Sequence, residues 1–216
     1  MITIGCAGFA VPATKYLKEF LFVEVQETHL TVPGPGTIRR WRREAPPSFE
    51  FALLAPREIG QESFRLGKVI ESAIDNLDET KKELAATTIV FTSPPDFAET
   101  RPNKAAVKEF LTAIRGRYDR VVWEPPPSWN PDDIAPAVEG AGALCARDPL
   151  RHGTSKGKVA YYRLPGPAGH KSRYEDPSID KLAELAKAAG HDAAHFIFSN
   201  VDMFADAKRL RKLLKV

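Results

Sequence analysis

Four side chains carry charge or amide chemistry inside or at the end of apolar runs. They are Glu24 in Phe22-Val23-Glu24-Val25, Glu124 closing Val121-Val122-Trp123, Arg163 in Tyr161-Tyr162-Arg163-Leu164, and Asn200 closing Phe196-Ile197-Phe198-Ser199. A buried ionised group is costly unless it is paired or meets a ligand. Two carboxylates in a partly dry site can take different protonation states and divide general acid and base work, with Glu24 or Glu124 as base or metal ligand. Arg163 would hold an anion or developing negative charge, and Asn200 would orient a substrate. The same residues also fit an Arg163–carboxylate pair that ties strands together without chemistry.

The segment Gly166-Pro167-Ala168-Gly169-His170-Lys171-Ser172-Arg173 follows the Arg163 run and joins flexible backbone to two cations. Gly166, Lys171 and Arg173 are therefore candidate anion-binding residues, the competing reading being a surface loop whose charges face water. A divalent metal has weaker support. Asp148, His152 and His170 are the candidate ligands, with His29, Glu24 and Glu124 as further donors for zinc, manganese or iron. No HExxH spacing accompanies them, and solvated loop histidines are the plainer account. GxSxG, P-loop and GxGxxG motifs are absent, which removes the hydrolase-elbow, nucleoside-triphosphatase and Rossmann readings. Cys6 and Cys145 fall inside predicted strands, where a buried thiol is inert packing.

The elements that must position these groups are legible from periodicity. Apolar runs of strand length recur at Ile2–Cys6, Leu21–Gln26, Phe49–Leu54, Thr88–Thr92, Arg120–Glu124, Ala143–Arg147, Val159–Leu164 and Phe196–Asn200. Between them, Phe64–Leu84 puts Leu66, Val69, Ile70, Ala73, Ile74 and Leu77 on one helical stripe; Lys104–Ile114, Ser178–Ala189 and Ala205–Leu214 read the same way. Strands alternating with helices specify a parallel sheet, and eight such units match a single-domain (β/α)8 TIM-like barrel over 1–216, with a doubly wound open sheet as competitor. In both folds the carboxyl ends of the strands form the site face, where the four polar groups fall. Along strand two, Glu24, Gln26 and Thr28 are expected on the inner face and the valines against helices.

Composition sets the outer bounds. The 216 residues carry 31 Lys+Arg against 28 Asp+Glu, a net +3, which permits anionic small molecules or nucleic acid as partners without specifying either. Two basic runs, Arg39-Arg40-Trp41-Arg42-Arg43 and Lys208-Arg209-Leu210-Arg211-Lys212, read first as solvated helix faces. Two cysteines argue against a disulfide framework and for a reducing cytoplasm. Few glutamines, asparagines, cysteines and methionines hint at a hot habitat. No apolar stretch is long enough for a membrane span, and the first ten residues lack the basic region of a signal peptide.

The order of fragments resembles the domain-of-unknown-function 72 family, also called YecE-like. The similarity rests on Ile4-Gly5-Cys6-Ala7-Gly8-Phe9, Phe22-Val23-Glu24-Val25 with Thr28, Thr37 to Trp41, Pro47 to Phe51 with Ala55-Pro56, and Pro94-Pro95 with Phe97. It continues through Glu124 before Trp129, Tyr161, Arg163-Leu164, Gly166, Tyr174, and Phe198-Ser199-Asn200 with Ala205. The resemblance implies a TIM-like barrel and no settled activity. Departures from the family pattern at Leu54, Gly60-Gln61, Thr92 or Ser93, Pro125-Pro126-Pro127 and Pro165 replace several of its polar groups. Two functions follow as expectations. One is an enzyme acting on a phosphate-bearing substrate, a phosphodiester or sugar phosphate. The other is a non-catalytic anion- or nucleic-acid-binding barrel that has lost those groups.

Overall fold

A computed structural model describes residues 1–216. Its strands are β1 (Ile2–Ala7), β2 (Phe22–Val25), β3 (Glu50–Leu54), β4 (Thr88–Thr92), β5 (Arg120–Glu124), β6 (Leu144–Cys145), β7 (Val159–Leu164) and β8 (Ala193–Phe198). The helices are α1 (Ala13–Tyr16), α2 (Pro35–Glu44), α3 (Arg57–Gln61), α4 (Lys68–Leu84), α5 (Arg101–Ala113), α6 (Pro131–Gly140), α7 (Pro149–His152), α8 (Asp176–Ala188) and α9 (Met203–Leu214). The strands form one sheet in the order β6-β5-β4-β3-β2-β1-β8-β7, the sequential order of a (β/α)8 barrel. The ladders β1–β2, β1–β8, β3–β4, β4–β5, β5–β6 and β7–β8 are parallel. No helix is long and apolar enough to cross a membrane.

The chain resolves into two compact units. The first comprises Met1–Glu24, Pro46–Phe49 and Ala146–Val216, and so holds the β7-β8-β1-β2 part of the sheet. Its register pairs Ala7 with Glu24, Gly5 with Ile197, His195 with Tyr161 and Ile197 with Arg163. Side chains alternate along a strand, so Gly5, Ala7, Phe22, Glu24, Tyr161, Arg163, His195 and Ile197 share one face. On the opposite face Tyr162, Phe196 and Phe198 pack outward, the last edge-to-face on Tyr174. Gly5 is required: a Cβ there would lie 2.6 Å from the Phe22 carbonyl oxygen. The Tyr16 hydroxyl accepts from the Cys6 amide and donates to the Phe22 carbonyl, both at 2.8 Å, and so clamps α1 across β1 and β2.

The second unit comprises Val25–Ala45 and Glu50–Cys145. Thr100 and Asn130 cap α5 and α6 by accepting from the amides of Asn103 and Asp132, and a proline follows within the first turn of each helix. Trp41 is buried while Arg39, Arg40 and Arg43 on α2 face solvent, as its amphipathic pattern requires. Helix α4 begins at Lys68, not Phe64. Ser63 and Phe64 take left-handed φ values of 54° and 60°, which aim the Phe64 ring into a cluster with Phe97, Phe110 and Trp123. That burial outweighs local helix propensity, and it leaves Leu66 and Val69 about half exposed, off the buried stripe where periodicity placed them.

Candidate functional site

Glu24 is fully buried, and both of its oxygens are engaged. Oε1 accepts from Arg163 Nη2 at 2.7 Å and Oε2 from the Tyr161 hydroxyl at 2.8 Å. All three residues belong to the first unit, with Glu24 and Arg163 at the carboxyl ends of β2 and β7. An arginine and a tyrosine hydroxyl on one carboxylate offset the cost of removing its charge from water. Beneath them the buried His195 stacks on Tyr161 at 5.6 Å, and Phe22 meets His195 at 5.5 Å. The pattern of apolar runs passes over this histidine; its only signal is a titratable residue inside Ala193–Phe198.

Asn200 lies two residues beyond β8 and follows the outward row of Phe196 and Phe198, not the inner row of Glu24. Its Nδ2 donates to Asp206 Oδ2 at 2.8 Å and to the Ser172 carbonyl at 3.1 Å. Asp206 is itself buried; it also accepts from Arg209 at 2.8 Å, and Arg209 reaches Asp176 and the Tyr174 carbonyl. Asn200 thus joins the β7–α8 loop to α9. Motif and strand patterns do not single out Asp206, although an acid on the apolar face of a terminal helix is a readable signal.

The loop expected to cradle an anion is folded on itself. The Gly166 amide donates to the Tyr174 hydroxyl at 2.8 Å, the Ala168 amide to Ser172 Oγ at 3.0 Å, and Ser172 Oγ to the Gly169 carbonyl at 2.6 Å. Arg173 pairs with Asp202 at 2.5 Å, and Lys171 is exposed without a protein partner. Gly166 has φ +99°, and a Cβ on it would meet Ser172 Oγ at 2.5 Å. Its expected role as a phosphate-binding amide gives way to a turn that only glycine fits.

The candidate metal ligands do not converge: no three His, Cys, Asp or Glu side chains stand together as a metal-ligating group. Asp148 caps α7 by accepting from the Leu150 amide at 2.9 Å, and burial pushes its carboxyl up from the ordinary value despite that bond. His152 closes α7, and His170 Nδ1 bonds the Ser199 carbonyl at 2.8 Å. Each is engaged by local structure.

In the second unit Glu124 is half-buried at the end of β5, on the face shared by Thr92 and opposite Trp123. Strand β2 ends at Val25, so Gln26 and Thr28 leave the alternation expected of them. The chain turns into a 3-10 turn, Glu27–His29, where the Thr28 hydroxyl donates to the Leu54 carbonyl at 2.6 Å and His29 Nδ1 to that of Ala55 at 2.7 Å. Cys6 and Cys145 are buried free thiols, and burial raises Cys6 to about 12.

A sequential parallel sheet with buried charge at strand carboxyl ends defines the class as a TIM-like (β/α)8 barrel. The family model described as a protein of unknown function, DUF72, matches residues 13–216, and the chain belongs to that family. A DUF72 family protein from Enterococcus faecalis is similar with TM-score 0.81 and 14% identity, over 100% of this chain and 96% of that one. One from Thermotoga maritima gives 0.76 and 17%, over 100% of both chains. A xylose isomerase domain containing protein from Salmonella typhimurium gives 0.64 and 12%, over 98% and 96%. These likenesses establish the fold. No curated protein matches the chain.

Proposed function

We propose that the chain is an enzyme acting on a small phosphate-bearing substrate, a phosphodiester or sugar phosphate, at the carboxyl ends of its strands. One observation carries this reading: Glu24 is fully buried yet ionically paired to Arg163 at 2.7 Å where β2 and β7 end. Replacing a buried ion pair with apolar residues is often neutral or stabilising, so stability alone does not account for one. Arg163 supplies a guanidinium for the phosphate. Glu24 fixes its orientation and is the nearby proton acceptor, and the Tyr161 hydroxyl is the adjacent proton donor. Asn200 is assigned to scaffolding by its bonds to Asp206 and Ser172. Glu124 is a separate carboxylate whose part is tested on its own.

A second reading, a non-catalytic anion-binding barrel, draws on one observation: Leu54, Pro127 and Pro165 stand where the family pattern carries polar groups. Thermal unfolding of metal-stripped protein separates the two. The panel holds inorganic phosphate, sugar phosphates and mononucleotides, each with and without manganese, zinc or magnesium. A ligand at 100 times its dissociation constant adds about 2.7 kcal/mol. Shifts with phosphate compounds, abolished in Arg163→Met, together with turnover of the same compounds support the enzyme. Shifts without turnover favour the binding protein, and an Arg163→Met profile identical to wild type overturns both.

A further inference from the structure

We infer that the outer face of α9 docks the phosphodiester backbone of a nucleic acid. Lys208, Arg211 and Lys212 stand at i, i+3 and i+4 on α9, and with Lys215, the left-handed residue that ends the helix, and Val216 they line a shallow basin of about 250 Å³. This spacing puts three cations on one helical face, since each residue advances a helix by about 1.5 Å, and Lys215 continues the row past the last turn, for roughly 10 Å in all. Like charges three and four residues apart repel and destabilise a helix. Favourable interaction with the helix dipole accounts for Arg211 and Lys212 in the last turn but not for Lys208, one turn earlier.

The neutralisation available inside the protein is partial. Lys208 pairs with Glu19 at 3.1 Å, and the Arg211 guanidinium is spent on the backbone carbonyls of Glu19 and Val216. Lys212 and Lys215 are exposed; the Lys215 amide donates to the Arg211 carbonyl, but neither ammonium group has an ion pair or hydrogen bond within the protein. Lys15 on α1 extends the strip: its ammonium and that of Lys208 lie 5.9 and 5.6 Å from the Phe204 ring centroid. A linear array of cations calls for a linear array of anions. Over about 10 Å of axis a nucleic-acid strand presents roughly three phosphates, at about 3.4 Å per nucleotide. Contact of this kind is independent of base sequence and strongly dependent on salt.

The test is fluorescence anisotropy with a labelled 20-base-pair duplex in a salt series. It compares wild type, Lys212→Glu/Lys215→Glu, and the control Lys181→Glu/Lys187→Glu, which makes the same charge change on α8. Circular dichroism melts confirm that each variant is folded. Wild type should bind with a negative log–log salt slope. The α9 variant should bind at least about tenfold more weakly, with a slope shallower by about 0.9 for each phosphate no longer neutralised. The control should bind as wild type does. Equal weakening by the control, absence of duplex binding, or binding to anionic vesicles in place of the duplex would each overturn the proposal.

Discussion

Glu24 and Arg163 pair at 2.7 Å although β1 and β8 lie between their strands. Three flat strand spacings would separate β2 from β7 by about 14 Å, beyond the reach of this pair. The ion pair is therefore a chord across a strongly curved sheet. Small residues make the chord possible: Gly5 and Ala7 on β1 leave room on the face that Glu24 and Arg163 share. Curvature, the residues chosen for β1 and the placement of charge are one arrangement.

Breaking that pair should be expensive. Glu24→Gln is expected to destabilise the protein by about 3 kcal/mol, because it leaves the Arg163 charge buried without this counter-ion. Adding Arg163→Met should recover most of that stability. Glu124→Gln should cost less than Glu24→Gln, since Glu124 is only half-buried. Chemical denaturation of the four proteins is the measurement, and a Glu24→Gln effect below about 1 kcal/mol would contradict the account.

Gly166→Ala is expected to cost about 1–3 kcal/mol from its left-handed backbone alone, with the Ser172 and Gly169 oxygens in the way of the new methyl. Amide exchange should quicken first in the loop that follows β7. Unchanged stability and exchange would show that the loop has another accessible conformation.

Burial raises the Asp148 carboxyl, so the folded chain holds that proton to a higher pH than the unfolded chain, whose reference value is 3.8. Between 3.8 and the raised value the folded state binds more protons, and stability falls as pH rises. Asp148→Asn keeps a good cap and removes the titration. Its stability should be flatter across that acidic window and no lower than wild type at neutral pH. Parallel wild-type and variant curves would refute the assignment.

Both thiols should resist a disulfide-exchange reagent in the folded protein and react on unfolding. The unfolded chain releases the Cys6 proton near 9.0 and the folded chain near about 12, so stability should decline with pH over that interval. Cys6→Ala should show a weaker alkaline slope. Burial also raises the Tyr16 hydroxyl, which supplies another part. Rapid labelling of Cys6 under native conditions would overturn the burial argument.

Periodicity locates β4, β5 and β7 to the residue, because their β-branched and aromatic runs end sharply at prolines or charged turns. It misplaces β8. Ala193, Ala194 and His195 do not look like strand, yet they pair with β1 and β7; the Ser199 amide still bonds the Leu164 carbonyl of β7, while Asn200 leaves the sheet to bind the next loop and helix. Need for a partner at Arg163 is readable from burial cost. The choice of Glu24 is not, because it depends on strand order and curvature. Gly166 and the start of α4 fail for a different reason: a positive φ at Gly166, Ser63 and Phe64 answers to packing partners beyond the local pattern.

The β1–β8 ladder carries a consequence for biosynthesis. Ile2 pairs with Ala194, so β1, once made, waits for about 190 further residues before this neighbour exists. At about 5–20 residues per second the wait is roughly 10–40 seconds. During it β1 is tethered on one side at most, by β2 and the Tyr16 clamp. The nascent chain's hazard is thus concentrated in one short apolar segment, Ile2–Ala7, which a holding chaperone could shield until β8 arrives.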